Sequence, residues 1–139
     1  MEVTVLIPNY NGLKFLYDCI DCLKKQSTKD FRILVVDNAS SDKSVEWLKE
    51  NNIDTLVLDK NYGFAGGVNA GIKEVDTAYT ILLNNDTKAD IYYVENLLKS
   101  IKAGKKTFSV SPLMIQAQDN SLVDDAGDGL CIIGFAYQI

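Results

Sequence analysis

Between residue 3 and about residue 110 the hydrophobic period switches repeatedly from that of a strand to that of a helix, and this alternation restricts the fold more than any other feature. Val3-Thr4-Val5-Leu6-Ile7 is apolar and β-branched and is stopped by Pro8, which reads as a buried strand. Leu13, Leu16, Ile20 and Leu23 then recur at three- and four-residue steps, with Lys14, Asp18, Asp21 and Lys24 between them, the pattern of an amphipathic helix. The cycle repeats. Phe31-Arg32-Ile33-Leu34-Val35-Val36 ends at Asp37-Asn38, Ala39-Ser40-Ser41-Asp42 offers N-cap residues, and Val45 and Leu48 mark a short helix that frays at Asn51-Asn52. Thr55-Leu56-Val57-Leu58 predicts a third strand, followed by a glycine-rich loop from Lys60 to Gly67 and a helix opened by Val68-Asn69-Ala70-Gly71-Ile72. Thr80-Ile81-Leu82-Leu83 predicts a fourth strand. Ile91, Val94, Leu97, Leu98 and Ile101 mark a fourth helix stopped by Gly104, and Phe108-Ser109-Val110 a fifth strand closed by Pro112. Strand fragments and an acidic cluster, Asp124, Asp125 and Asp128, follow before the apolar run from Cys131 to Ile139. Strands alternating with helices predict the α/β class: a mostly parallel, twisted sheet with helices on both faces, in a single domain over residues 1–139.

Composition removes several functions. The formal net charge is −5, which disfavours nucleic-acid partners. There is no histidine, so Ser/His and Cys/His catalysis and every His-ligated metal site are excluded. Cys19 and Cys22 form a C-x-x-C in mid-helix, away from the helix N-terminus that would activate a redox pair, and a zinc site lacks further ligands; with Cys131 they read as free, core-facing or half-buried thiols. Reduced thiols, with neither a secretory signal nor an apolar run of membrane-spanning length, predict a cytoplasmic chain.

The loops select among α/β folds. A dinucleotide fingerprint needs G-x-G-x-x-G after the first strand, where this chain has Pro8-Asn9-Tyr10-Asn11-Gly12; a P-loop needs a distal glycine that Gly104-Lys105-Lys106-Thr107 lacks. Each early strand instead ends in a polar set: Pro8-Asn9-Tyr10, Asp37, Asn61 with Gly63, and Asn84-Asn85-Asp86. Carboxyl ends of parallel strands converge on one crevice. There an aromatic can stack on a base, a carboxylate can accept from a base N–H, and a glycine loop admits close backbone approach. Asp86 can hold a divalent cation against phosphates, since magnesium sites need only one or two carboxylates besides phosphate and water. Asn and Asp also dominate ordinary turns, so the Asn84–Asp86 triplet by itself fits either reading; the four strand ends together describe a nucleotide-diphosphate site.

Val5-Leu6-Ile7-Pro8-Asn9-Tyr10-Asn11, Val35-Val36-Asp37-Asn38-Ala39-Ser40-Ser41-Asp42, the run from Asn61 through Gly63-Phe64-Ala65-Gly66-Gly67 to Gly71, and Leu82-Leu83-Asn84-Asn85-Asp86-Thr87 carry a resemblance. Across nearly its whole length the chain resembles the nucleotide-sugar domain of family 2 glycosyltransferases, of the GT-A fold, and in particular the rhamnosyltransferase-like branch. The resemblance implies that the turn Pro8-Asn9-Tyr10 and Asp37 hold the base, that Asn61 and the loop from Gly63 through Phe64 to Asn69 line the nucleotide pocket, that Asn11 and Asn85 belong to the same nucleotide-binding set, and that Asn84-Asn85-Asp86 stands where the family has D-x-D. Asn84 would contact the ribose and Asp86 would ligate Mn2+ or Mg2+. The implied donor is a dTDP-, UDP- or GDP-sugar, the acceptor a saccharide or lipid-linked, and transfer would proceed with inversion, at the inner face of the membrane in the full-length protein.

Inverting transfer needs a general base, normally a carboxylate. Asp124, Asp125 and Asp128 are the remaining acidic cluster and read better as a solvated loop. The chain is therefore expected to be truncated, its acceptor half and base lying beyond Ile139, to be inactive by itself, and to self-associate through the apolar tail at residues 131–139. A non-catalytic nucleotide-binding module is the alternative.

Overall fold

The computed structural model describes residues 1–116, 119, 121–125, 128–130 and 136–138. They form two compact units, Met1–Ile91 and Tyr92–Ile139. In the first unit β1 (Val3–Asn9), β2 (Phe31–Asp37), β3 (Asp54–Val57) and β4 (Tyr79–Leu82) make a sheet of order β3-β2-β1-β4, parallel throughout. The chain walks outward from β1 to β3 and then crosses back to the free side of β1, so the direction of connection reverses between β1 and its two neighbours. That reversal leaves a crevice at the carboxyl ends of the strands.

Val5, Leu6 and Ile7 are all fully buried although successive residues face opposite sides of a sheet, so both faces of β1 are covered. This explains why the strand reads as a continuous apolar run. Helix α1 (Leu13–Lys24) buries Leu16, Cys19, Ile20 and Leu23, one face at helical spacing. Fully burying each large aliphatic side chain is worth about 1.5–3 kcal/mol. Packing of this kind stabilises a twelve-residue helix that would be marginal alone. Helix α2 (Ser44–Glu50) buries Leu48.

Helix α3 (Gly63–Ile72) differs from expectation. The glycine run read as a loop up to Gly67 is helical from Gly63 onward. Glycine costs about 1 kcal/mol per helical position relative to alanine, so propensity opposes this helix and packing imposes it. Val68 joins Leu6, Leu34 and Val36 in a buried cluster beneath it. At Gly71 the helix lies so close to the sheet that a Cβ would fall 2.5 Å from Val36 Cγ2 and 2.6 Å from Leu6 Cδ1.

The second unit contains α4 (Tyr93–Ala103) and two antiparallel pairs, β5 (Met114–Ile115) with β6 (Val123–Asp125) and β7 (Asp128–Leu130) with β8 (Ala136–Gln138). Gly104 ends α4 as expected. The expected fifth strand is absent: residues 108–110 have no ladder, and Phe108 is 98% exposed. Three β-prone residues between Lys105-Lys106 and Pro112 are too few to hold a register without a partner. Of the apolar tail, β8 pairs with β7, while residues 131–135 and 139 lie outside the described residues. Asp124 and Asp125 belong to β6 and Asp128 to β7. Among the described residues no helix is long and apolar enough to cross a membrane.

The close approach of α3 yields a direct test. Gly71→Ala should lower the urea midpoint with an unchanged m-value, by about 1–3 kcal/mol, the usual cost of overpacking a core. Wild-type stability in that variant would contradict the packing described.

Candidate functional site

The register of β1 on β2 pairs Asn9 with Asp37 at the last rung. Both are buried, Asp37 at 0% and Asn9 at 2% exposure. A carboxylate buried without a cation must be met by donors. Two are supplied: Ser40 N–H donates to Asp37 Oδ1 at 2.8 Å and Asn9 Nδ2 donates to Asp37 Oδ2 at 2.9 Å. Asp37 therefore lies beneath the crevice and not on its surface. Ser40 Oγ accepts from Asn9 Nδ2 at 3.3 Å and from Asn11 N–H at 2.8 Å, which fastens the turn after β1 to the turn after β2. Asn11, in the left-handed region at φ 50°, accepts on Oδ1 from Ser41 N–H at 2.7 Å and Asp42 N–H at 3.3 Å.

The next residue, Asn38, shapes the glycine segment. Its Nδ2 donates to Asn61 Oδ1 at 3.0 Å and to the Gly63 carbonyl at 2.9 Å, and its Oδ1 accepts from Tyr62 N–H at 2.9 Å. Gly63 itself has φ +72°, which any other residue would adopt only under strain. The asparagine after β2 thus sets how residues 61–63 enter α3.

A third segment reaches the same place. β4 leaves the ladder after Leu82, Leu83 N–H still bonds the Leu6 carbonyl at 3.0 Å, and Asn84-Asn85-Asp86 then turns over the end of β1. Asn85 Nδ2 donates to Asn9 Oδ1 at 2.8 Å.

These three segments enclose an open cleft of about 370 Å3. Pro8, Asn9 and Tyr10 line it from the end of β1, Asn38 from the turn after β2, Asn61, Gly63 and Phe64 from the connection between β3 and α3 and the start of α3, and Asn84, Asn85 and Asp86 from the end of β4. Six of the residues singled out in the sequence, Pro8, Tyr10, Asn61, Gly63, Asn84 and Asn85, are thus brought together with Asp86. Asp37, Asn11 and Asn69 are not on the lining: Asp37 is buried below it, and Asn11 and Asn69 are exposed elsewhere on the turn and on α3. Asn38 was missed as a site residue, and Asn9 and Phe64, which fall inside the expected segments, were not singled out individually. Each stands beside a chosen residue, and only the register and the early start of α3 turn them inward. Tyr10 and Phe64 are 52% and 59% exposed, which leaves two aromatic faces at the cleft available to a flat ring.

Asp86 is, among the described residues, the one carboxylate on the lining. Among the described residues no group of three or more Cys, Asp or Glu side chains could hold a metal by itself. This donor set fits a cation that brings its own phosphate and water ligands and does not fit a closed protein cage. Behind the segment, the Cys19 thiol donates to the Asn84 carbonyl at 3.8 Å. Burial, reinforced by the neighbouring Cys22 and Asp86, pushes that thiol up to about 12, so it stays protonated and inert. Cys19 and Cys22 are free, as expected of core-facing thiols; Cys131 lies outside the described residues.

Asp42 ties the helices to the site. It accepts from Ser44 N–H at 2.9 Å at the start of α2 and from Leu13 N–H at 3.1 Å at the start of α1. Partial burial works to raise its pKa, but the hydrogen bonds from Ser44 and Leu13 outweigh it and hold the carboxyl below the ordinary aspartate range. A depressed folded-state pKa stabilises the fold above the unfolded value, about 3.9, and that stability is lost as pH falls through the folded value. Asp42→Asn should therefore flatten the acid limb of the stability curve below about pH 4. An unchanged slope in chemical denaturation across that range would contradict the assignment.

A family profile described as glycosyl transferase family 2 matches residues 4–124. The teichoic acid poly(glycerol phosphate) polymerase of Staphylococcus epidermidis is 29% identical over 99 residues, covering 67% of this chain and 14% of that protein. Among solved structures, S. aureus TarS in complex with UDP-GlcNAc superposes with a TM-score of 0.68 at 19% identity, over 84% of this chain and 38% of that one. The mannosyltransferase PcManGT from Pyrobaculum calidifontis, in complex with GDP-Man and Mn2+, gives 0.67 at 17%, over 86% and 37%. The chain thus spans well under half of the length of each of these proteins, and its fold is that of GT-A glycosyltransferases. With the profile running from the first strand into β6, this chain belongs to glycosyl transferase family 2.

Proposed function

We propose that the cleft binds a nucleotide-diphospho-sugar together with a divalent cation, and that the chain is the donor-binding part of an inverting glycosyltransferase. The observation that carries this is the convergence of three strand-end segments, with two exposed aromatics and one carboxylate, on a single cleft at the point where the sheet's connections reverse. Tyr10 and Phe64 would hold the base, with Pro8, Asn61 and Gly63 completing that wall. Asp37 would serve the base only through Asn9 and Ser40, which it holds in place. Asn84 would meet the ribose, since an amide oxygen still accepts from a hydroxyl. Asp86 would hold Mn2+ or Mg2+, which when bound would offset the charge growing on the departing diphosphate.

Relatives supply further support. One carries teichoic acid polymerase in its name, and solved neighbours hold UDP-GlcNAc or GDP-Man. We accordingly place the activity in cell-envelope polysaccharide synthesis, on the cytoplasmic side, with a saccharide or lipid-linked acceptor. The Asn84-Asn85-Asp86 and Asn61-to-Gly71 motifs support the rhamnosyltransferase-like branch.

Among the described residues Asp86 is the sole carboxylate on the cleft lining and would be occupied by the cation, so we place the general base for the acceptor hydroxyl off that lining. That same observation favours a second reading, a nucleotide-binding module without transfer. Acceptor-dependent release of nucleoside diphosphate separates the two.

The test of the main reading is calorimetry with UDP, GDP and dTDP. Binding should require Mn2+, manganese alone should bind weakly, and Asp86→Ala should abolish the manganese-dependent part. At a hundredfold excess over its dissociation constant the ligand should stabilise the fold by about 2.7 kcal/mol. Equal affinity in chelator, or wild-type affinity in Asp86→Ala, would refute the role given to Asp86.

A further inference from the structure

We infer that the buried Asp37 carboxylate fixes the orientation of two successive side-chain amides, Asn9 and then Asn85, and that this chain positions the segment carrying Asp86. An ionised carboxylate only accepts, so the amide that meets it must present its NH2 group. Asn9 does so, donating from Nδ2 to Asp37 Oδ2 at 2.9 Å. Its Oδ1 is then turned away and can only accept. Asn85 completes the sequence by donating from Nδ2 to that oxygen at 2.8 Å. The order of donors runs one way, from β4 through β1 to β2, because one end is a charge that cannot donate.

The surroundings fit this arrangement closely. A Cβ on Gly12 would lie 2.1 Å from Asn85 Nδ2 and 2.5 Å from Asn9 Oδ1, so the glycine opens the space in which the two amides meet. Asn9 is almost wholly buried and Asn85 half-buried, so water competes poorly for the inner bond. Buried polar chains of this kind are strong when every member is satisfied and costly when one is reversed. Asn85 is thus a positioning residue. It stands between two residues with prospective ligand contacts, yet its amino group donates to Asn9.

Only the functional consequence rests on the nucleotide–cation reading, and it separates two roles for Asn85. If Asn85 faced the cation, Asn85→Asp would add negative charge beside it and strengthen binding. If Asn85 positions the segment by donating to Asn9, the same variant places two acceptors against each other. Asn9 cannot turn to relieve them without setting its own oxygen against Asp37.

The experiment has two arms. In the wild-type protein without ligand, NMR exchange should show the Asn85 side-chain NH2 protons protected at least tenfold relative to those of the exposed Asn84 in the same turn. Equal exchange would overturn the ordered chain with no variant needed. In the second arm, calorimetry with manganese and UDP, GDP or dTDP, whichever binds most tightly to wild type, should show Asn85→Asp weakened at least tenfold. Unchanged or tighter binding would overturn the positioning role. Asp86→Ala, run alongside, keeps the two claims apart. If it binds like wild type, the cation reading fails while the exchange result still judges the amide chain. If it loses binding and Asn85→Asp does not, the cation reading stands and the positioning role falls.

Discussion

The site depends on one buried carboxylate. Because β1 and β2 run in register to their last residues, Asp37 and Asn9 meet at the end of the sheet, below the surface of the cleft. A charge in that place is tolerable only if the backbone and side chains around it supply donors. Ser40 N–H and the Asn9 amide do so, and in doing so they determine the path of both turns. Asn11 and Ser40 then lace the turns together, and Asn85 is drawn in from β4. The polar floor of the cleft is thus one connected structure built on a single anion.

Around that floor the cleft divides by chemistry. Of the lining residues, Tyr10 and Phe64 are aromatic and exposed, while Asn84 and Asp86 are polar with one formal charge. Among the described residues no Lys or Arg lines the cleft, so a bound diphosphate would meet no fixed positive partner from them. A cation that arrives with the ligand is the simplest way to bring two sets of oxygens together, and a single carboxylate suffices to hold it when phosphate supplies the remaining ligands. Coupled binding of this kind also makes affinity depend on both components at once.

Much of this was legible in the sequence. The continuous apolar runs gave away strands buried on both faces, and the polar residue at the end of each run pointed to the crevice. What could not be read was direction. Asp37 looked like a ligand contact because it ends a strand, and only the register shows that Asn9 covers it. The roles of Asn9 and Asn38 could not be read because a side-chain amide gives no sign in sequence of which partners it will meet. The helix over the glycine run was hidden because its stability comes from contact with Leu6 and Val36, which propensity does not record. The strand expected at residues 108–110 failed for the converse reason: local preference without a neighbouring ladder.

In the proposed complex the cation and the nucleotide meet at the carboxyl ends of these strands, with the cation at Asp86. Paramagnetic broadening by Mn2+ measures this directly, because bound manganese relaxes nearby nuclei with steep distance dependence. In amide spectra recorded with nucleotide and substoichiometric Mn2+, the account predicts that signals of Asn84, Asn85 and Asp86 broaden first and those of Tyr10 and Phe64 shift. Those at the opposite end of the sheet, around Phe31 and Ile53, should stay sharp. Strongest broadening at Asp124, Asp125 and Asp128, with the Asn84–Asp86 signals unaffected, would contradict it.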